Sequence, residues 1–224
     1  MTQEPPIKAV IFDLDGTLAN TLPVCIAAFQ VAFQQYTGRW YTSDDIHALF
    51  GPSEDGIMQK VIGERWQDAL ATYLREYEKA HSRCTQPFDG ITQLLNWLDA
   101  EGIETAVVTG KGAGSAEISL RRIGLTDAFD LVETGSPEGV QKPASIAKVL
   151  SIWGIAPGET VYVGDAPSDV TSARQAEVIP IAAAWAPKSD RAKLEDMHPA
   201  ACFNAVGDLV EWLKPRSQSV AKAN

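Results

Sequence analysis

Short, almost continuous apolar runs recur along the chain and alternate with segments of helical spacing. The runs are rich in Val and Ile and lack polar alternation, which predicts strands buried on both faces of a sheet. They cover residues 7–13, 104–109, 130–134, 160–164 and 179–185. The spacing between them predicts helices over residues 90–101, 113–123, 143–153 and 167–176. Strand alternating with helix predicts an α/β fold with a parallel, doubly wound sheet.

One long segment breaks this alternation. From residue 18 to residue 86 no strand is indicated, and apolar residues recur with the period of amphipathic helices. A helical block of this length after the first strand predicts a small cap domain inserted into the α/β core. The predicted core then comprises residues 1–17 and 87–214. The polar segment 215–224 is expected to form a flexible tail.

Charge and cysteine content limit the possible partners. The chain has 29 acidic and 19 basic residues, a formal net charge of −10, whereas nucleic acids and anionic membranes favour a basic surface. The cysteines Cys25, Cys84 and Cys202 form no CxxC pair, and free thiols suit a reducing cytosol. No basic segment precedes the first apolar run, as a secretory signal would require. We therefore expect a cytoplasmic protein that binds neither nucleic acid nor membrane.

Polar residues stand at the carboxyl ends of the predicted strands. These ends meet at one edge of a parallel sheet, where open α/β sheets bind their ligands. The residues concerned are Asp13–Thr17 after the first strand, Thr109–Gly112 after the second, Lys142 after the third, and Asp165 and Asp169 after the fourth. We therefore expect them to meet in one cleft.

The side chains at this edge combine carboxylates with a lysine and a hydroxyl. Four carboxylates in one cleft repel one another unless a cation neutralises them, and their oxygens suit Mg²⁺. Lys142 and Thr109, with the backbone N–H of Gly110 at a helix start, are suited to hold a tetrahedral anion. A single strand-end Asp is most often a turn or capping residue, so the prediction depends on the ordered combination. That combination indicates phosphoryl transfer.

These residues resemble the four ordered motifs of the haloacid dehalogenase superfamily of phosphatases. The motifs are Asp13–Thr17, Thr109, Lys142, and Asp165 with Asp169, and the resemblance covers nearly the whole chain. It implies a Rossmann-like core, and the predicted helical block lies where that superfamily inserts its first type of cap. Within the superfamily the chain looks most like phosphoglycolate phosphatases, pyrophosphatases of the same fold and β-phosphoglucomutases.

The resemblance implies a catalytic role for two aspartates. Asp13 would be the nucleophile that forms an aspartyl-phosphate. Asp15 would protonate the leaving oxygen and then activate the water that hydrolyses the intermediate. Thr109, Gly110 and Lys142 would hold the phosphate.

The resemblance also implies a magnesium site. Asp13, Asp165 and the backbone carbonyl of Asp15 would be ligands of Mg²⁺. Asp169 would bind the metal or orient a metal-bound water.

In capped relatives a cap loop closes over the site and selects the substrate. The best candidate here is the segment of Phe50, Gly51, Pro52 and Ser53. An ordinary turn between two helices would have the same Gly-Pro sequence, so both interpretations stay open.

The sequence thus predicts a Mg²⁺-dependent phosphatase, a monomer or homodimer, that hydrolyses a small metabolite such as phosphoglycolate. A β-phosphoglucomutase-type mutase and an inorganic pyrophosphatase stay open as alternatives. A regulatory phospho-binding module is less favoured, since receiver domains have no inserted cap. Asp15 disfavours C–halogen cleavage, because the dehalogenases that the chain resembles lack this carboxylate. Phosphonate hydrolases need a Schiff-base lysine in the cap, and nothing marks Lys60 or Lys79 for that role.

Overall fold

The computed structural model describes residues 5–217 of the 224-residue chain. Its six strands form one parallel sheet in the order β3-β2-β1-β4-β5-β6. The strands are β1 Ala9–Phe12, β2 Glu104–Val108, β3 Leu131–Glu133, β4 Thr160–Gly164, β5 Ile179–Ala183 and β6 Ala201–Phe203. The sequence predicts the first five. It misses β6, because three partly exposed residues at the sheet edge form no apolar run of the expected length.

The strand order fixes where a ligand can bind. From the central β1 the chain moves to one side through β2 and β3, and then returns to the other side through β4, β5 and β6. The carboxyl ends of β1 and β4 therefore flank the topological switch point. Phe12 pairs with Val163, so the residues after these two strands leave the sheet at the same level. The predicted doubly wound α/β class is confirmed.

The first part of the connection between β1 and β2, up to residue 86, is a helical block. The helices are α1 Leu22–Thr37, α2 Ser43–His47, α3 Glu54–Ile62 and α4 Trp66–Ala80. Aromatic side chains hold α1 against α4: the ring centroids of Phe29 and Tyr73 lie 4.5 Å apart, and Tyr73 stacks on Tyr77 at 5.5 Å. The helical block over residues 18–86 is therefore present. Its division from the core as a separate cap with these boundaries stays a prediction.

The remaining helices cover the two faces of the sheet. They are α5 Ile91–Glu101, α6 Ala113–Arg122, α7 Lys142–Trp153, α8 Pro167–Gln175, α9 Arg191–Asp196 and α10 Val206–Leu213. Successive residues of β1 face opposite sides: Val10 and Phe12 pack into the larger core, and Ile11 packs into the smaller one. Burial on both faces explains why the strands read as unbroken apolar runs. No helix within residues 5–217 has both the length and the apolar composition to span a bilayer.

The core continues past α10 into the segment predicted as a flexible tail. A 3₁₀ turn, Lys214–Arg216, follows α10, and the Arg216 guanidinium lies 4.1 Å from the centre of the Trp212 ring. Ile7 donates its N–H to the Arg216 carbonyl at 2.8 Å and forms a bridge with Ser217. Residues 215–217 are therefore ordered against the start of the chain, contrary to the prediction for 215–224. Residues 218–224 lie outside the described residues.

Helix α7 offers a matched pair of isoleucines for measuring how much core burial stabilises the fold. Ile146 is fully buried, whereas Ile152 is 56% exposed. Ile146→Ala should lower the free energy of unfolding by about 2–5 kcal/mol, because it leaves a cavity in the core. Ile152→Ala should change it by less than about 1 kcal/mol. Urea unfolding followed by circular dichroism measures both, and equal losses would contradict the described packing of α7.

Candidate active site

Asp13 lies where β1 ends, at the switch point of the sheet. Its N–H donates to the Val163 carbonyl at 2.9 Å, which continues the β1–β4 pairing by one residue. After Asp15 the chain leaves the strand in a tight turn through Gly16, whose φ is +74°. A Cβ there would overlap the carboxylate of Asp165. Glycine is required because the position combines left-handed backbone with close approach to a charged group.

Asp13, Asp165 and Asp169 form one carboxylate cluster. One carboxylate oxygen from each lies within 4.8 Å of the others. The pKa of Asp13 is raised to about 6: burial is the largest cause, Lys142 opposes it, and the neighbouring carboxylates of Asp169 and Asp15 add to it. Burial, Asp169 and Asp13 together raise the pKa of Asp165 well above its ordinary value. Charges of one sign packed this closely favour a bound cation, and three hard oxygen donors fit a divalent ion.

Lys142, the first residue of α7, neutralises part of this cluster. Its Nζ lies 3.0 Å from Asp13 Oδ1 and 2.6 Å from Asp169 Oδ1. Burial disfavours the ammonium, but Asp13 and Asp169 outweigh it and hold the pKa of Lys142 well above its ordinary value. Asp169 also accepts a hydrogen bond from the Ala166 N–H at 3.0 Å. Both oxygens of Asp169 therefore have donors within the protein, whereas Lys142 remains a cation beside Asp13.

The loop after β2 is held by backbone contacts with the loop after β3. Thr109 is buried, and its N–H donates to the Glu133 carbonyl at 3.0 Å. Gly135 donates its N–H to the Lys111 carbonyl at 2.6 Å. A Cβ on Gly135 would overlap the carbonyl oxygen of Gly110, so the two loops approach as closely as glycine permits. These contacts fix Thr109 and Gly110 at the sheet edge.

A cavity of about 320 Å³ opens over this edge, between the sheet and the helical block. It brings together most of the strand-end residues that the sequence singles out. Those that line it are Asp13, Asp15, Thr109, Gly110, Lys142 and Asp165. Asp169 is buried and reaches the cluster through Lys142 and the carboxylates rather than by lining the cavity.

The predicted cap loop divides between the cavity and the interface with the core. Phe50, Gly51 and Pro52 line the cavity. Ser53 is buried, and its N–H donates to the Ser136 carbonyl at 2.9 Å. Phe50, Gly51 and Pro52 are thus the part of the loop that a ligand in the cavity would touch.

Sequence reasoning assigned no role to Lys111, although it placed the residue at the sheet edge, and it missed Glu54; both line the cavity. Lys111 is buried, and its Nζ lies 3.3 Å from Asp15 Oδ1 and 3.7 Å from Glu54 Oε1. Thr21 also donates its hydroxyl hydrogen to Asp15. The position of Lys111 two residues after the strand-end Thr109 is a usable sequence signal. No pattern in the sequence pairs it with Glu54, which lies in a helix far away along the chain.

The family model of the haloacid dehalogenase-like hydrolases matches residues 10–183. The chain belongs to this family. The pyrophosphatase PpaX of Halalkalibacterium halodurans is 30% identical over 174 residues, which cover 77% of this chain and 81% of that protein. The solved structure of a haloacid dehalogenase-like family hydrolase from Streptococcus pneumoniae superposes with a TM-score of 0.73 at 23% identity. The match covers 92% of this chain and 98% of the Streptococcus chain. A structure described as a predicted phosphoglycolate phosphatase, from Haemophilus somnus, has a TM-score of 0.72 at 19% identity, with coverages of 95% and 99%.

The family model and the PpaX relative confirm the predicted superfamily and the enzyme class, a phosphatase-type hydrolase. The two solved structures are less than 25% identical to this chain, so their similarity supports the fold alone. Haloacid dehalogenase-like hydrolases generally use a divalent metal, and the cluster of Asp13, Asp165 and Asp169 provides an acidic site for one.

Proposed function

We propose that this enzyme is a Mg²⁺-dependent phosphatase that hydrolyses a small phosphorylated metabolite, with Asp13 as nucleophile. One observation carries the proposal: the Asp13 carboxylate lies at the switch point, 3.0 Å from Lys142 Nζ and clustered with Asp165 and Asp169. A nucleophile, a phosphate-binding cation and an acidic metal site thus share one cavity. Phosphoryl transfer needs this combination of positioning and charge neutralisation.

The first step of the proposed reaction forms a bond between an Asp13 oxygen and phosphorus and breaks the bond to the leaving oxygen. Lys142, Thr109 and Gly110 hold the phosphate oxygens during the transfer. Asp15 enters protonated and gives its proton to the leaving oxygen. The products are an alcohol and a phosphorylated Asp13.

The second step returns the enzyme to its starting state. The Asp15 carboxylate takes a proton from water, whose oxygen bonds to phosphorus as the bond to Asp13 breaks. Inorganic phosphate and the free Asp13 carboxylate result. Thr21 and Lys111 hold the Asp15 carboxylate through both steps, since both contact its Oδ1.

The aspartate cluster is proposed to hold Mg²⁺, with Asp13, Asp165 and the Asp15 carbonyl as ligands and Asp169 supporting them. A bound Mg²⁺ would supply charge neutralisation for the phosphate and for the carboxylates. Asp169 is assigned the supporting role because Lys142 and the Ala166 N–H already engage its oxygens.

Phosphate release should therefore require magnesium. Release from at least one compound in a panel of phosphate esters, phosphoglycolate and pyrophosphate should occur with Mg²⁺ and stop with EDTA. Asp165→Asn should raise the Mg²⁺ concentration for half-maximal rate about 10–100-fold, because it removes a ligand charge. Asp127→Asn, an exposed aspartate outside the cavity, is the matched control and should behave as wild type. Phosphate release at the full rate in EDTA would show that the reaction does not need a metal ion.

Inorganic pyrophosphate is a second candidate substrate. The pyrophosphatase PpaX relative, 30% identical over most of this chain, favours it. A phosphomutase remains a further alternative, and a requirement for a sugar bisphosphate together with slow hydrolysis would reveal one. We further propose that the enzyme works in the cytoplasm as a monomer or homodimer.

A further inference from the structure

Glu54 is a buried carboxylate at the start of α3, surrounded by four donors. The Gly112 N–H lies 2.5 Å from its Oε2. The hydroxyls of Ser115 and Tyr73 lie 2.5 Å and 3.1 Å from its Oε1, and Lys111 Nζ lies 3.7 Å from the same oxygen. A carboxylate of the helical block is therefore fully engaged by groups that belong mainly to the core.

These donors together form an anion-binding site. Gly112 is the N-cap of the ten-residue helix α6, and Ser115 lies in its first turn. Backbone N–H groups at a helix start favour negative charge, and the Lys111 ammonium adds a full positive charge. With Glu54 absent, the same groups would suit a carboxylate or phosphate oxygen of a ligand. In this protein the Glu54 carboxylate occupies that site.

The anion site adjoins the place where a leaving group would depart. Lys111 contacts Glu54 on one side and Asp15 on the other, at 3.7 Å and 3.3 Å. Asp15 is the acid that the proposed function assigns to the leaving oxygen. A substrate whose second anionic group lies a few bonds beyond that oxygen would direct it towards Lys111 and would meet the charge of Glu54.

Apart from Glu54 and His47, whose Nδ1 lies 2.7 Å from the Ser43 carbonyl oxygen, the wall formed by the helical block is largely apolar. It includes Leu22, Phe29, Phe50 and Ile57. Among the described residues that line the cavity, those of the block include neither lysine nor arginine. Phe50 and, from the core, Val140 expose 39% and 61% of their surface and also line the cavity. This wall therefore suits an uncharged, partly apolar group better than a second anion.

We propose that Glu54 is a specificity-determining residue that excludes substrates with a second anionic group. It fills the anion site of Lys111, Gly112 and Ser115, so the enzyme prefers phosphate monoesters whose leaving group is uncharged. Repulsion of this kind selects substrates as effectively as attraction does. The inference rests on the proposed function and narrows its substrate class.

Two substrates that differ only in charge test this inference: phosphoglycolate and its primary amide, with pyrophosphate as a third. Wild type should have the higher kcat/KM for the amide. Glu54→Ala should shift the ratio towards phosphoglycolate by about tenfold or more, because the vacated donors bind its carboxylate. Glu54→Gln keeps the size but removes the charge, and should shift the ratio in the same direction by less. Glu64→Gln, at an exposed carboxylate of the helical block outside the cavity, should leave the ratio unchanged.

The double variant Glu54→Ala with Lys111→Met separates specificity from packing. Its overall rate should fall because Lys111 contacts Asp15, but the gained preference for phosphoglycolate should also disappear. A wild type that prefers phosphoglycolate or pyrophosphate would overturn the inference. If both Glu54 variants kept the wild-type ratio of kcat/KM values, the inference would also be wrong. Glu54 would then have only a structural role in packing.

The role of Glu54 can still be measured if no compound is hydrolysed. Dissociation constants of phosphoglycolate and its amide, measured by calorimetry with Asp13→Asn in wild-type and Glu54→Ala backgrounds, give the same ratio without turnover. Absence of hydrolysis would then contradict the proposed function, whereas an unshifted ratio of dissociation constants would contradict the role of Glu54.

Discussion

Asp13→Asn should abolish phosphate release, with a loss of kcat on the order of 10⁴-fold or more. An amide oxygen does not attack phosphorus to give a stable acyl phosphate, so no phosphorylated enzyme forms. The substitution nearly preserves volume, and Asp13 is buried against Val163 and Lys142, so the fold should persist. Phosphate release at saturating Mg²⁺ measures the effect, and circular dichroism confirms folding.

The control for this variant is Asp127→Asn, which makes the same chemical change at an exposed position outside the cavity. It should retain the wild-type rate. Mass spectrometry of rapidly quenched wild type should find a phosphoryl group on Asp13, and none in the Asp13 variant. A variant that kept more than about a hundredth of the rate would mean that another residue is the nucleophile.

Asp15→Asn should lower the rate by about 10²–10⁴-fold, the usual contribution of a positioned acid and base. The amide can neither protonate the leaving oxygen nor take a proton from water. Thr21 and Lys111 both hold Asp15 Oδ1, so the side chain is positioned before substrate binds. This preorganisation makes the loss specific to chemistry rather than to binding.

Leaving groups of different basicity test this role directly. The first burst of alcohol release should slow strongly for an alkyl phosphate, whose leaving oxygen needs a proton. It should slow much less for p-nitrophenyl phosphate, whose leaving group departs without one. Equal slowing of the two bursts in Asp15→Asn would contradict a role as general acid and would leave Asp15 as a structural partner of Thr21 and Lys111.

The class of substrate that the enzyme accepts is expected to depend on the buried contact between Glu54 and Lys111. The PpaX relative is named as a pyrophosphatase, and the likeness to a structure named as a predicted phosphoglycolate phosphatase is one of fold. Pyrophosphate and phosphoglycolate both have a second anionic group. Glu54 already occupies the donors that would receive it, so this chain is expected to differ from such enzymes in the leaving group it accepts.

The amino-acid sequence alone is enough to predict the α/β class and to place the motif residues after the ends of strands. Five strands could be predicted because burial on both faces produces unbroken apolar runs, a local property of the chain. Their parallel order then required Asp13, Thr109 and Asp165 to stand at one edge. Gly16 was identifiable for the same reason, since a tight turn after a strand restricts the backbone locally.

Which distant groups meet cannot be predicted from the sequence and becomes visible only in the folded chain. Strand β6 and the ordered residues 215–217 depend on partners elsewhere in the chain, such as Ile7 with Arg216, and have no local signal of their own. The pairing of Glu54 with Lys111 likewise joins a helix of the block to a loop of the core. The periodicity of apolar residues indicates which residues are buried, but it does not indicate which other residues they contact. The pairing of Glu54 with Lys111 next to Asp15 therefore follows from tertiary packing and could not be predicted from the sequence pattern.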